Sequence, residues 1–341
     1  MKIVFIIIAL IIAASTVLIT LGYGVYNITV SEAIKVFFDH ITGNIGTTKE
    51  ALRDDHYVWD IRLPRAIAAL FVGGGLAVAG AIMQNDFRNP LAEPYTMGIS
   101  SGAFLGAVLF IVCDITLIPL LGINGGIINA MICSLIPATA IVLIDRFKKL
   151  TPTAMILTGV AIMYLFSSIC QILLVTAPSE TMADAYSWRV GTLSKIISWD
   201  YLPSIIISTV TITIILMVIS KKLDVMYAGD KSAQTMGVNA QLLRIISLVL
   251  VSLMTAVIVS HTGTIGFIGL VGPHIARIFV GSKNKYLIPA SAAFGAAFII
   301  LADTIAKVSG ANGLPVGVIS SMIGGPIFIW ILIKQRKNAW A

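Results

Sequence analysis

The sequence predicts an all-α polytopic membrane protein of about ten transmembrane helices, organised as one domain over residues 1–341. Three observations carry that prediction. Hydrophobic residues make up 57% of the chain and charged ones only 11%, with a mean hydropathy of +0.96. Soluble chains carry roughly 25% charged residues and cannot hide this much apolar surface in one core. The apolar residues fall in runs of about 20, the length a helix needs to cross a hydrocarbon core of about 30 Å. The basic residues gather between the runs, so the net charge of +7 reads as membrane orientation and not as nucleic-acid binding.

The runs are taken in chain order. Residues 3–24 follow a single Lys2 and are longer than the apolar part of a signal peptide, which makes them the first span. Residues 66–84, 95–112, 126–144 and 154–176 give four more, and 202–220, 243–260, 264–280, 286–306 and 315–333 complete ten. Each must be helical, because lipid offers no partner to a free peptide group. The eighth is the least regular: Gly, Pro and His within 261–281 leave a broken helix open as an alternative. Glycines such as Gly73, Gly74, Gly75, Gly98, Gly102, Gly106, Gly263, Gly266, Gly269 and Gly272 lie within the runs and predict close helix approach.

Arg146 with Lys148 and Lys149, Lys221 with Lys222, Lys283 with Lys285, and the tail Lys334, Arg336 and Lys337 alternate correctly with an even number of spans. Both termini are therefore expected in the cytoplasm of a multi-pass protein of the cell membrane. The opposite face receives the acidic loops, with Glu32, Asp39, Glu50, Asp54, Asp55 and Asp60 in one and Glu180 and Asp184 in another.

Enzyme signatures are missing. There is no H-E-x-x-H and no G-x-S-x-G, and His40, His56, His261 and His274 are scattered. Cys113, Cys133 and Cys170 form no C-x-x-C pair and read as small hydrophobes. Gly229-Asp230-Lys231-Ser232 has the Lys-Ser pair of a phosphate-binding loop without its glycines. The chain is thus expected to bind no cofactor or metal, and any ATP must be hydrolysed by another chain.

Polar residues concentrate in Gln84-Asn85-Asp86-Phe87-Arg88-Asn89-Pro90-Leu91-Ala92-Glu93-Pro94, where two prolines interrupt helix. With Arg62-Leu63-Pro64-Arg65 and Gly74-Gly75-Leu76-Ala77 before it, this string resembles the FecCD/BtuC-like permeases of type II ABC importers. Gly263-Thr264-Ile265-Gly266-Phe267-Ile268-Gly269-Leu270 with Pro273-His274 and Arg277, then Leu314-Pro315-Val316-Gly317 with Gly324, Pro326 and Phe328, extend the resemblance over nearly the whole chain.

The resemblance implies a ten-helix BtuC-like bundle that pairs with a second permease subunit, identical or related, around a shared path. It implies two cytoplasmic ATPase subunits that hold the ATP and Mg, and an extracytoplasmic binding protein delivering a metal chelate. The family's docking cations map onto Arg62, Arg65 and Lys307, the last replacing a more usual Arg and so losing a bidentate fork. Residues 221–244 look like the coupling segment, in which Gly229 and Gly237 bracket a short helix with Asp230, Ala233 and an exposed Met236 suited to a partner's groove. The cytoplasmic gate maps onto Asn89, Pro90 and Leu91, with Thr151 and Thr153 placed to complete it. Gly313 stands where many relatives have Glu, so no role falls to a carboxylate there. Asp303, four residues before Lys307, is expected to neutralise it in part.

Iron(III)-siderophore is the expected cargo by family frequency, with haem or cobalamin as alternatives. The rival of another class is an ion-coupled secondary transporter, for which Asp303 is the sequence's best ionisable group.

Overall fold

Where Pro and Gly punctuate the apolar runs decides how far each helix reaches. The computed structural model describes residues 2–24, 26–119, 125–309 and 313–335, which leaves Arg336 and Lys337 of the basic tail outside it. In order, the chain forms α1 (Lys2–Thr20), α2 (Val30–Thr42), α3 (Lys49–Asp55), a π-helical segment (His56–Arg62) and α4 (Leu63–Phe87). A 3-10 turn (Pro94–Met97) leads into α5 (Ile99–Ile111), then come α6 (Gly125–Lys148), α7 (Pro152–Val175) and α8 (Ser179–Arg189). After α9 (Leu202–Val218) lie the short α10 (Ser220–Tyr227) and α11 (Asp230–Thr235). The chain closes with α12 (Ala240–Thr262), α13 (Ile268–Val280), α14 (Asn284–Val308) and α15 (Val316–Gln335), and no strand occurs among the described residues.

All ten apolar runs contain helix, and eight are long and apolar enough to cross a bilayer. The third and eighth are corrected by the structure. Continuous spans are expected over 95–112 and 264–280, yet α5 and α13 have 13 residues each. At 1.5 Å per residue that is roughly 20 Å, short of a core of about 30 Å. The cause is local. Gly98 takes φ +85 and starts α5 only after the 3-10 turn, while Gly263 at φ +70 ends α12 and Phe267 at φ +67 delays α13. The broken-helix alternative for 261–281 is the one observed. Gly98 begins α5 deep in the bundle, where an added Cβ would lie 3.2 Å from Pro137 and 3.3 Å from the Gly159 carbonyl.

Helix α4 forms the axis of the core, with nearly every residue buried. Its small residues admit neighbouring backbones: a Cβ built on Gly80 would come within 1.8 Å of the Gly269 carbonyl oxygen of α13. Along α14 the same close approach pairs Gly73 with Gly295. The π segment arises where Pro64 has no N–H to give, and the Leu63 N–H reaches back five residues to the Val58 carbonyl.

The bundle has an acidic end, formed by 26–60 and 177–200, and a basic end bearing Arg146 with Lys148 and Lys149, Lys221 with Lys222, and Lys283 with Lys285. At the acidic end α2 lies outside the spans, opened by Thr29 and Glu32 as the T-x-x-E spacing dictates. The Glu32 carboxylate accepts from the Thr29 N–H at 2.9 Å and from its hydroxyl at 2.7 Å, which holds its pKa below the usual carboxylate range, the hydroxyl contributing most.

Candidate functional site

Two charged clusters and one polar junction stand out. At the basic end, Gly229 at φ +120 and Gly237 at φ +78 bracket α11, the short helix expected there. Its Ala233 is buried and its C-terminal neighbour Met236 is 66% exposed. Asp230, the first residue of α11, accepts from Arg88 Nη2 and from Arg244 Nη2, each at 2.9 Å. Arg88 stands just after α4, inside the proline-rich string, and closes that helix in the left-handed region at φ +47. Arg244 belongs to α12, is 1% exposed, and donates from Nε to the Asp86 carbonyl at 3.0 Å. One carboxylate thus joins three elements.

A layer of amide hydrogen bonds lies beneath it. Asn85 donates to the Leu223 carbonyl of α10 at 3.1 Å and accepts from Asn284 of α14 at 3.3 Å. Asn284 in turn donates to Asp224 at 2.8 Å. The ends of α4, α10, α12 and α14 are therefore bonded to one another through side chains.

The expected gate residues make local turns. Asn89 Oδ1 accepts from the Leu91 N–H at 2.9 Å, and Leu91 is left half-exposed beyond Pro90. Thr151 caps α7, accepting from the Ala154 N–H at 3.2 Å, with Thr153 exposed in the first turn. Among the described residues no hydrogen bond or ion pair joins the 89–91 turn to the 151–153 turn.

At the acidic end, Arg62, Arg65 and Lys307 line a common cavity of about 280 Å³. None of the three is a free cation. Arg62 is buried and donates to the carbonyls of Leu21, at 2.6 Å, and Tyr26. Arg65 forks onto Asp303, with Nη2 at 2.7 Å and Nε at 3.1 Å. Lys307 lies 3.4 Å from the same carboxylate and donates to Thr20 Oγ1 at 3.1 Å. The Asp303–Lys307 contact is the one its four-residue spacing predicts, whereas Arg65 as a second partner is new. Three cations stand against one carboxylate, so the site keeps a positive excess.

Where the two short helices α5 and α13 begin, the Ile265 N–H donates to Tyr95 Oη at 3.3 Å, joining the approach to α13 to the approach to α5. Below it Gln84 of α4 accepts from Arg277 Nη1 at 3.1 Å and reaches the Gly269 carbonyl at 3.5 Å. Backbone bonds tie this region outward: Thr192 N–H to the Thr262 carbonyl at 2.7 Å and Gly317 N–H to the Gly191 carbonyl at 3.1 Å.

The family model of the FecCD transport family matches residues 7–334. The chain belongs to that family. Among its curated relatives, the hemin transport system permease protein HmuU of Yersinia pestis is 36% identical over 83% of this chain and 85% of its own. The cobalamin import system permease protein BtuC of Halobacterium salinarum is 36% identical over 83% of this chain and 74% of its own. Among solved structures, an inward-facing metal-chelate type ABC transporter superposes with a TM-score of 0.83 at 26% identity, covering 96% of this chain and 98% of that one. The chain is accordingly a multi-pass permease subunit of a type II ABC importer with a BtuC-like fold.

Several polar residues of this FecCD permease escape a reading by sequence alone. Asp86 lies in the polar string after the second run, Arg244 is the second residue of the seventh run and Asn284 stands two residues before the ninth, and what the sequence leaves out is what they bond to. Their charge and amide groups at membrane depth were the available signal, but the partners lie 158 residues away for Arg244 with Asp86 and 199 for Asn284 with Asn85.

Proposed function

We propose that this permease, paired with a second identical or related subunit, moves an iron(III)-siderophore across the cytoplasmic membrane. Both termini face the cytoplasm in this reading. The basic end then meets two ATPase subunits, which hold and hydrolyse ATP with Mg, and the acidic end meets an extracytoplasmic binding protein.

The observation that carries the reading is the double engagement of Asp230. A partner that grips α11 through Met236 moves a carboxylate bonded to both Arg88 and Arg244. Motion at the ATPase therefore reaches the 88–94 string and the base of α12 directly. Gly229, Ala233 and Gly237 serve by shape: two left-handed glycines free the ends of α11, and the buried alanine seats it. The 89–91 turn with Leu91, and the α7 start at Thr151 and Thr153, form the gate in this reading, constricting by packing. At the other end, the positive excess of Arg62, Arg65 and Lys307 favours an acidic docking surface, where charge complementarity sets encounter and register.

The relatives named for hemin and for cobalamin, and the metal-chelate type structure, support a metal chelate as cargo. The test is uptake of labelled iron by cells lacking this chain, supplied separately with hydroxamate and catecholate siderophores and with haem, beside labelled cobalamin. Loss of one siderophore supports the cargo. Lost cobalamin uptake with normal iron uptake overturns it and keeps the architecture. Ion-coupled transport would need an ionisable group open to a path, and Asp303, the candidate from the sequence, is fully buried and ion-paired to Arg65 and Lys307. Uptake that survives ATP depletion with the ion gradient intact would favour that rival.

A further inference from the structure

Between α5, α7, the end of α8 and the start of α15 lies a cavity of about 500 Å³. Its wall carries hydroxyls, among them Ser100, Ser167, Thr264 and Ser321, and one charged side chain, Arg189; no carboxylate lines it. Arg189 is the last residue of α8. Its carbonyl accepts the Thr264 hydroxyl, which fixes the backbone, while its guanidinium lies over the Phe104 ring at 5.2 Å. Phe104 is stacked in turn on Trp188.

The other arginines facing the bundle are occupied: Arg65 by Asp303, Arg88 and Arg244 by Asp230, Arg62 by carbonyls and Arg277 by Gln84. Among the described residues Arg189 has no ion pair and no hydrogen bond from its guanidinium. Five donors on a guanidinium carried over an aromatic ring, beside a wall of hydroxyls, match the planar oxygen pairs of carboxylates or catecholates. The first turns of α5 and α15 also face this cavity, and both present the electropositive end of a helix. Every fixed charge along the wall has one sign.

We infer that Arg189 is a specificity residue that selects anionic metal chelates, those with carboxylate or catecholate oxygens, over neutral hydroxamate chelates and corrinoids. This rests on the permease reading and narrows its cargo. Serine and threonine hydroxyls alone would serve either class, since they donate and accept; the guanidinium only donates, and its charge attracts only one.

The experiment uses the complete transporter in proteoliposomes, with radiolabelled ferric citrate and a ferric catecholate as anionic probes, and ferrichrome and cobalamin as neutral ones. The wild type is expected to import an anionic probe. Arg189→Gln is expected to lower that import about tenfold, the loss of a charge-assisted bidentate contact. Arg189→Lys recovers part of it, and ATP hydrolysis stimulated by the binding protein stays at the wild-type level. Equal ATPase stimulation and equal membrane content of the variants exclude a folding defect. Wild-type preference for a neutral probe, or unchanged import by Arg189→Gln, overturns the inference and leaves the permease reading intact. A wild type that imports no chelate of either charge overturns the siderophore cargo of the proposed function, on which the inference rests.

Discussion

Replacing Asp230 by Asn is expected to uncouple ATP hydrolysis from transport without abolishing either partner's folding. The magnitude follows from the two ion pairs that Asp230 makes. Arg88 and Asp230 are 37% and 38% exposed, so their pair contributes less than about 1 kcal/mol after solvent screening. The Arg244 side chain is 2% exposed and keeps its bond to the Asp86 carbonyl, but its Nη2 is deprived of an anion that solvent replaces poorly. A charged hydrogen bond of that kind contributes about 1.5–3 kcal/mol, and the openness of Asp230 puts this one at the lower end. Together the two amount to about 2 kcal/mol, or roughly 30-fold in the ratio of seated to unseated α11. The assay is cargo imported per ATP hydrolysed by the reconstituted transporter. ATP hydrolysis is expected to persist while import per ATP falls at least about tenfold, a reduced share of the seating factor because both states bind the ATPase. Asp230→Glu, which keeps the charge, is expected to restore most of it. Unchanged import per ATP in Asp230→Asn would refute the relay, since α11 would then act without its two arginines.

Three further outcomes are expected. Gly80→Ala forces α4 and α13 apart, because the new Cβ would lie 1.8 Å from the Gly269 carbonyl oxygen, whereas Gly266→Ala meets only Ser321 Oγ at 3.5 Å; thermal unfolding is expected to fall for the first by about 1–3 kcal/mol or more and to change little for the second. Asp303→Asn leaves Arg65 and Lys307 facing each other and is expected to cost about 3 kcal/mol in chemical unfolding, with Asp303→Asn/Lys307→Met recovering part of it. For α2, the lowered pKa of Glu32 means its contribution is complete above the unfolded value of about 4.3 and is lost as pH falls through the folded one. Amide exchange in Val30–Thr42 is expected to quicken on acidification in the wild type, and Glu32→Gln is expected to remove that pH dependence.

Membrane class and the ten apolar runs were legible because hydropathy is a sum over about 20 residues and survives local irregularity. The half-helices were not, because residues 95–98 and 264–267 are apolar enough to pass as helix, and what stops them is backbone conformation at Gly98, Gly263 and Phe267. Gly229 and Gly237 were legible as brackets, since only turns make use of glycine at that spacing around a polar hexamer. Arg62 is the instructive case at the acidic end. A lone arginine before a span reads as a surface cation, yet the chain leaving α1 turns back and offers it the carbonyls of Leu21 and Tyr26. No pattern within a dozen residues encodes that return. The same holds for Asp230, whose partner Arg88 lies 142 residues earlier.

The two charged clusters belong to opposite ends of one pair of helices, and this bears on how they communicate. Arg65 opens α4 and pairs with Asp303 near the end of α14, while Asn85 near the end of α4 bonds Asn284 at the start of α14. Between these ties the helices run against each other through Gly73 and Gly295, with backbones too close to admit a Cβ. At 25 residues each, α4 and α14 reach about 38 Å, enough to span the hydrocarbon core. Two helices locked at both ends and in the middle resist bending and slip, since close-packed interiors deform little. In the proposed coupling, a displacement imposed through Arg88 on the end of α4 is expected to arrive at Arg65 as a rigid-body tilt of the pair. Parts that must move relative to it are the ones joined to it through non-helical chain: the half-helices α5 and α13 with their irregular approaches, and the turn at 89–91. In the function proposed above, the relay and the gate then differ in kind: the relay needs α4 and α14 not to yield, whereas the gate needs the non-helical chain at 89–91, beside the irregular approaches at Gly98, Gly263 and Phe267, to move.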